Sequence, residues 1–173
     1  MCFKMIFVTV GTHEQQFNRL LATVDNLKAQ GMLKDEVVMQ TGFSTYEPKH
    51  CQWQALFPYQ EMQSLIQKAR IVITHGGPSS FMQVLKAGKI PVVVPRLACY
   101  REHVNDHQLA FARAVQTRYQ NLLLVEAMPE LAPVLANYET QVADLSTLVV
   151  GNNQRFNQKF EKLVWRLMEG EVR

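Results

Sequence analysis

Cysteine is scarce in this 173-residue sequence, with only Cys2, Cys51 and Cys99. They are odd in number and widely spaced, and no CxxC or Cys/His cluster has ligand spacing. That excludes a disulfide framework and a structural zinc site, and it reads as reduced thiols in the cytosol that behave as small buried hydrophobes rather than nucleophiles. Long apolar runs are also missing: nothing approaches the roughly 20 residues that span a bilayer. The run Met1 to Val10 passes straight into GTHEQQ, without the apolar core and cleavage site of a signal peptide. Charge of one sign is in short supply, because 18 Lys and Arg stand against 15 Asp and Glu. A net charge of +3 is too small to argue for nucleic acid by itself, and no nucleic-acid partner is expected, while it leaves room for a locally basic face toward phosphates or an anionic membrane. Two nucleotide fingerprints are absent as well. No Gly-Lys-Ser/Thr completes a Walker A loop. Gly11 is the only glycine of the first strand–helix loop, with no acidic residue about 20 positions on at a strand end, which excludes the GxGxxG of nicotinamide and flavin proteins.

The hydrophobic fraction of 47% and charged fraction of 19% suit one globular domain over residues 1–173. Short β-branched runs alternate with stretches of helical periodicity, the pattern of βαβ units. Met5 to Val10 reads as a buried strand. Phe17, Leu20, Leu21, Val24 and Leu27 predict a helix that stops near Gly31. Glu36 to Gln40 reads as a strand that ends in a turn-rich stretch, and Gln54 to Phe57 as a weaker one. Glu61 to Ala69 is an amphipathic helix, Arg70 to Thr74 a strand, and Ser79 to Ala87 a helix with Gly88 at its C-terminal end. Ile90 to Val94 is a strand, His103 to Thr117 a helix and Asn121 to Val125 a last strand, followed by two helical segments.

Continuously apolar strands imply an α/β fold, a Rossmann-like parallel sheet with helices on both faces and right-handed crossovers. Ligands of such sheets bind beyond the carboxyl ends of the strands, where the strand order reverses. Function is therefore expected in the loops after Val10, Gln40, Thr74 and Val94.

Three of those loops carry unusual residues. In Thr74-His75-Gly76-Gly77-Pro78-Ser79-Ser80, two glycines let backbone approach a ligand, and Pro78 and Ser79 suit the start of a helix. Backbone N–H groups and the helix dipole then favour a diphosphate, with hydroxyl donors from Ser79 and Ser80. The alternative is a helix cap after a tight turn, with His75 a satisfied buried histidine. In Val10-Gly11-Thr12-His13-Glu14, Gly11 and Thr12 offer a second set of amides, and His13 suits general acid or base work or else is a solvent-facing cap. In Glu102 to Gln108, Asp106 and Gln108 have the acceptor and two-way hydrogen bonding that grip sugar hydroxyls, although Asp106 alone also reads as a helix-start charge. His103 and His107, at i and i+4, lack a third ligand, so no metal site is expected.

VTVGTHEQQFNRLL, HGGPSSFMQVLKAGKIPVVVPR and EHVNDHQLAFA, taken in this order, resemble the C-terminal domain of glycosyltransferase family 28 over about residues 5–125. Within that family the likeness is to bacterial exopolysaccharide and capsule galactosyltransferase subunits, and more distantly to the soluble half of the two-subunit eukaryotic N-acetylglucosaminyltransferase of dolichol-linked glycan assembly. The resemblance implies a GT-B C-terminal-type domain that binds a UDP-sugar, with no cofactor and no metal. It implies an inverting transfer to a lipid-linked saccharide acceptor held by a membrane-associated partner subunit at the inner face of the plasma membrane. His75, Gly76, Gly77, Ser79 and Ser80 would hold the diphosphate, Asp106 and Gln108 would reach the sugar or its phosphate, and Gly11, Thr12 and His13 would line the opposite wall. His13 is the local choice of general base, and galactose the first choice of hexose.

One position departs from the family pattern. Relatives place a ribose-binding glutamate in the helix after the glycine loop, where Gln83 stands here, so ribose binding is expected to be weaker or differently arranged. A GT-B enzyme closes two domains, so a partner subunit or a second copy of this chain would complete the cleft. Phe156, Phe160, Leu163, Val164 and Leu167 form an apolar stripe interleaved with Arg155, Lys159, Lys162 and Arg166 on a helix expected at about residues 152–169. The stripe packs on its own domain or docks to the partner or to lipid. A non-catalytic binding or regulatory subunit is the rival reading of the whole chain.

Overall fold

In the computed structural model, which describes residues 4–149, the β-branched runs form one sheet. Its strands are β1 (Met5–Thr9), β2 (Glu36–Gln40), β3 (Gln52–Gln54), β4 (Ile71–His75), β5 (Val92–Val94) and β6 (Leu123–Leu124). The order is β3-β2-β1-β4-β5-β6, and every pairing is parallel. Six helices connect or follow them: α1 (Asn18–Ala29), α2 (Tyr59–Lys68), α3 (Pro78–Lys86), α4 (His107–Tyr119), α5 (Leu131–Ala136) and α6 (Tyr138–Val149). The sheet grows from β1 in one direction to β2 and β3, then in the other from β4 onward. The reversal lies between β1 and β4, where Thr9 sits beside Thr74.

The strands are apolar throughout because both faces are covered. Ile6, Val8, Ile71, Ile73, Val92 and Val94 point into the core shared with α1, α5 and Tyr138. Their neighbours Phe7 and Val72 meet α2 and Val84 of α3 on the other face, and Val93 meets Phe81 of α3 with Ala112 and Val115 of α4. The period-2 alternation is thus real but hidden, since both alternating sets are hydrophobic.

Helix ends follow the expected chemistry. Pro78 takes the first position of α3, and Gly88 follows its C-cap Ala87 at φ +74°, a left-handed turn that suits glycine. Lys89 caps α2 from outside, donating to the carbonyls of Ile66, Gln67 and Ala69 at 2.7, 2.5 and 2.5 Å.

Several boundaries shift from the sequence reading, and three of the shifts have a clear cause. The third strand is Gln52–Gln54 rather than Gln54 to Phe57. All three of its residues are exposed, so it has no apolar signature, while Phe57 already donates its N–H to the Gln40 side chain at 3.2 Å. The helix expected from His103 starts at His107, because the preceding residues form a short 3-10 turn (Ala98–Tyr100) and a bend held by Asp106. The last strand is only Leu123–Leu124, since Gln120 still caps α4 in the left-handed region at φ 48°. The helix expected at 152–169, with its apolar stripe, lies outside the described residues.

Candidate functional site

The loops after β1, β4 and β5 converge at the switch point, and one imidazole organises them. His75, the last residue of β4, is buried. Its Nδ1 accepts the Gly77 N–H at 3.0 Å, and Nε2 lies 2.8 Å from Ser80 Oγ. An Nδ1 that accepts a backbone N–H carries no proton, so in the neutral ring Nε2–H donates to Ser80. Ser80 Oγ is then an acceptor toward His75, and its own hydroxyl proton is left for another partner. Burial first, and the Arg96 charge second, push the His75 pKa down to about 3, so the ring is neutral at physiological pH.

The glycines of this site answer to the protein's own side chains. A Cβ on Gly77 would lie 2.1 Å from His75 Cε1, and one on Gly11 2.4 Å from His75 Nε2. A Cβ on Gly76 would lie 2.9 Å from Gln108 Cβ. The HGG run therefore keeps Cβ atoms away from His75 and Gln108. Gly11 also sits at φ +74°, where glycine alone is unstrained.

With that turn fixed, α3 opens toward the crevice. Its nine residues, with Gly77 as N-cap and no side-chain cap, present the positive end of the dipole at the mouth. Ser79 is exposed on the first turn and Ser80 half-buried. Thr12 is exposed on the facing loop, and His13 is half-buried there. His13 Nδ1 accepts the Gln15 N–H at 3.2 Å, which places the proton of the neutral ring on Nε2.

The expected sugar-side residues are more committed. Gln108 is buried, and its Oε1 accepts the Arg96 N–H at 3.2 Å. Asp106 is exposed, with Oδ1 accepting the Ala98 N–H at 2.7 Å. Gln83 Oε1 accepts from Gln63 Nε2 of α2 at 3.2 Å. The helix that was to place His103 and His107 one turn apart begins only at His107. Their rings instead stack edge to face at 4.5 Å, and His103 also lies 4.8 Å from the His13 ring. Among the described residues no group of three or more His, Cys, Asp or Glu side chains could hold a metal ion. Cys51 and Cys99 are free, and burial followed by a hydrogen bond to Asp25 pushes the Cys51 thiol up to about 12, far from a nucleophile's range.

Two residues that sequence reasoning missed bind the loops together. Arg96, two residues beyond the end of β5, is fully buried and donates to the carbonyls of Val10, Gln15, Gln16 and Glu102. Glu102, also fully buried, takes Arg19 Nε and Nη2 on its two oxygens at 2.9 Å each, and the Leu97 N–H at 3.0 Å. Only Arg96 carried a sequence signal, a charge close behind an apolar strand; Glu102 carried none, and charges are fully buried only when paired as these are.

Comparison with known proteins agrees with this architecture. The family model "Glycosyltransferase family 28 C-terminal domain" matches residues 5–127. A human protein, UDP-N-acetylglucosamine transferase subunit ALG13, is 35% identical over 119 residues, covering 64% of this chain and 10% of its own length. In fold, the chain is similar to the glycotransferase of kitacinnamycin (TM-score 0.66, 17% identity) and to the glycosyltransferase SnogD from Streptomyces nogalater (TM-score 0.56, 18% identity). Each likeness covers 93% of this chain but only 43% of the other, so the chain spans under half of those glycosyltransferases. Among the described residues no helix is long and apolar enough to cross a membrane. The match over residues 5–127 shows that the chain belongs to the glycosyltransferase family 28 C-terminal domain family.

Proposed function

We propose that this chain binds a UDP-hexose at the Gly76 to Ser80 turn and, with an acceptor-binding partner, transfers the hexose to a lipid-linked saccharide. The observation that carries this reading is the β4–α3 junction at the sheet's switch point, where an uncapped helix start adjoins a Ser80 hydroxyl whose oxygen accepts from His75 and whose proton is left for a ligand. A diphosphate supplies the negative charge and acceptor oxygens that such an arrangement favours. Ser79 adds a second hydroxyl, Gly11 and Thr12 form the facing wall, and Asp106 on the rim is the acceptor for a sugar hydroxyl. The reaction is inverting and metal-independent, with the leaving diphosphate stabilised by these donors.

Galactose is the first choice of hexose, from the resemblance to capsule-type subunits in exopolysaccharide synthesis. The human relative is named for UDP-N-acetylglucosamine, which makes that donor the second reading. Its name also calls it a subunit, which supports a heteromer here. Such a partner would hold this chain at the inner face of the plasma membrane. A second copy completing the cleft is the homo-oligomeric form of the same idea.

His13 is the candidate base for the acceptor hydroxyl, under one geometric condition. Nε2 can accept a proton only if the ring moves its own proton to Nδ1 and gives up the Gln15 N–H bond. If His13 is the base, His13→Ala lowers transfer by the complex about 100-fold or more; unchanged transfer rejects the assignment. The rival is a non-catalytic subunit, favoured by Gln83, which offers ribose no carboxylate and is engaged with Gln63. Transfer by the complex that survives Ser80→Ala and Asp106→Ala would support the rival. Calorimetric titration with UDP, UDP-galactose, UDP-N-acetylglucosamine and NADH tests the donor site: UDP compounds bind and NADH does not. Equal binding of NADH would sink the reading.

A further inference from the structure

Beneath the proposed diphosphate site lies a cation that the reading above leaves without a role. Arg96 is 0% exposed, so it cannot itself touch a ligand. Its Nη2 donates to Val10 O at 2.8 Å, and Nη1 donates to Gln15 O, Gln16 O and Glu102 O at 2.8, 2.9 and 3.1 Å. Its guanidinium also lies 4.9 Å over the Phe17 ring. Burying a charge in this way is costly, and an apolar side chain of similar length would fill the space more cheaply. What the apolar chain could not do is hold carbonyls. Three of the four that Arg96 holds belong to the loop after β1, and they lie at its two ends.

That loop carries Gly11, whose backbone lies against the His75 ring: the nearest ring atom to a Cβ there would be Nε2, at 2.4 Å. Nε2 is also the atom that engages Ser80. The path therefore runs from Arg96 through Val10 and Gly11 to His75, and from His75 to Ser80. Electrostatics works in the same direction, since the Arg96 charge beside His75 disfavours a second proton on the ring.

We propose that Arg96 is the positioning residue of the diphosphate site: by gripping both ends of the loop after β1 it keeps Gly11 against His75, and so keeps the Ser80 hydroxyl proton turned toward the crevice. This rests on the donor-site reading above. Arg96 acts through the shape of the loop and by disfavouring a second proton on His75, and Lys replaces it only in part because a lysine has one point of attachment where the guanidinium has a fork.

Arg96→Met and Arg96→Lys test this in the full chain, each compared with wild type by thermal unfolding, imidazole ¹⁵N spectra without ligand, and calorimetry with UDP and UMP. In Arg96→Met the UDP Kd rises about tenfold or more, the scale of one misdirected hydrogen bond to a charged group. UMP weakens less, so the preference for the diphosphate narrows, and His75 loses its single Nε2–H signature. Arg96→Lys falls between the two. A residue that merely stabilises the fold would lower the melting temperature and leave the UDP-to-UMP preference and the His75 tautomer as in wild type, and that result overturns the proposal. If Arg96→Met does not fold, Arg96→Lys carries the test, with the same narrowing at smaller size. Wild type that binds no UDP contradicts the donor-site reading and this proposal with it. Wild type that binds UDP, with both folded variants unchanged, contradicts this proposal alone.

Discussion

His75 acts by filling space and by staying neutral. Its ring occupies the volume where side chains at Gly11 and Gly77 would begin, which separates two kinds of glycine in this chain. Gly77→Ala puts a methyl 2.1 Å from Cε1 of a buried ring and costs about 1–3 kcal/mol as overpacking. Gly88→Ala meets nothing within 4 Å and pays only for its positive φ, about 1–2 kcal/mol. The discriminating measurement is UDP binding beside urea unfolding: Gly77→Ala loses both affinity and stability, whereas Gly88→Ala loses stability alone. The histidine also sets a pH dependence. Unfolded, it takes up a proton below its ordinary 6.5; folded, it does so only near 3. Between those values the unfolded state binds more protons, so this contribution to stability falls as the pH drops from 6.5 toward 3. His75→Gln, which cannot titrate, flattens that slope in unfolding curves taken between pH 7 and pH 4; an unchanged slope would mean that His75 titrates normally. The sequence marked His75 and its glycines as a site, but it could not say that the open volume beside Gly77 belongs to the protein. That depends on a rotamer and on contacts across strands, which residue spacing does not encode.

At the scale of elements, the loops are held by buried polar side chains. Asp25 of α1 is buried and accepts from Tyr46 Oη, the Lys49 N–H and the His50 N–H at 2.9, 3.0 and 2.8 Å, which pins the loop between β2 and β3 onto the helix. Burial alone would raise its pKa; the Lys49 and His50 amides and the Tyr46 hydroxyl outweigh it and bring the carboxyl down to about 2. Asp25→Ala leaves those donors without their acceptor and costs about 1–3 kcal/mol or more. Amide exchange at Lys49 and His50 then rises well beyond that in the β1 and β4 core, while Asp25→Asn is milder. Equal exchange everywhere would mean that the loop is held by something else. The element order was legible because apolar runs and helical periods alternate cleanly. The short exposed β3 and the late start of α4 were not, since the first has no buried face and the second is set by Asp106 holding Ala98.

At the scale of the molecule, the sheet reversal between β1 and β4 brings the loops around Gly11 and His75 together from opposite ends of a crossover. The sequence allowed this to be anticipated because parallel sheets bind their ligands at such a reversal. It did not reveal the Arg96–Glu102–Arg19 network behind those loops, because partners 83 residues apart leave no local pattern. The crevice between β1 and β4 is the proposed donor site. A cavity at the opposite end of the strands is the natural comparison: about 270 Å³ lined by Ile6, Leu33, Asp35, Arg70 and Leu135. Mapping backbone amide shifts as UDP is added decides between them. The largest changes are expected at Gly76, Gly77, Ser79, Ser80, Gly11 and Thr12, and little at Leu33 to Asp35. Changes centred on Leu33 to Asp35 with the Gly76 to Ser80 turn silent would contradict the donor-site reading.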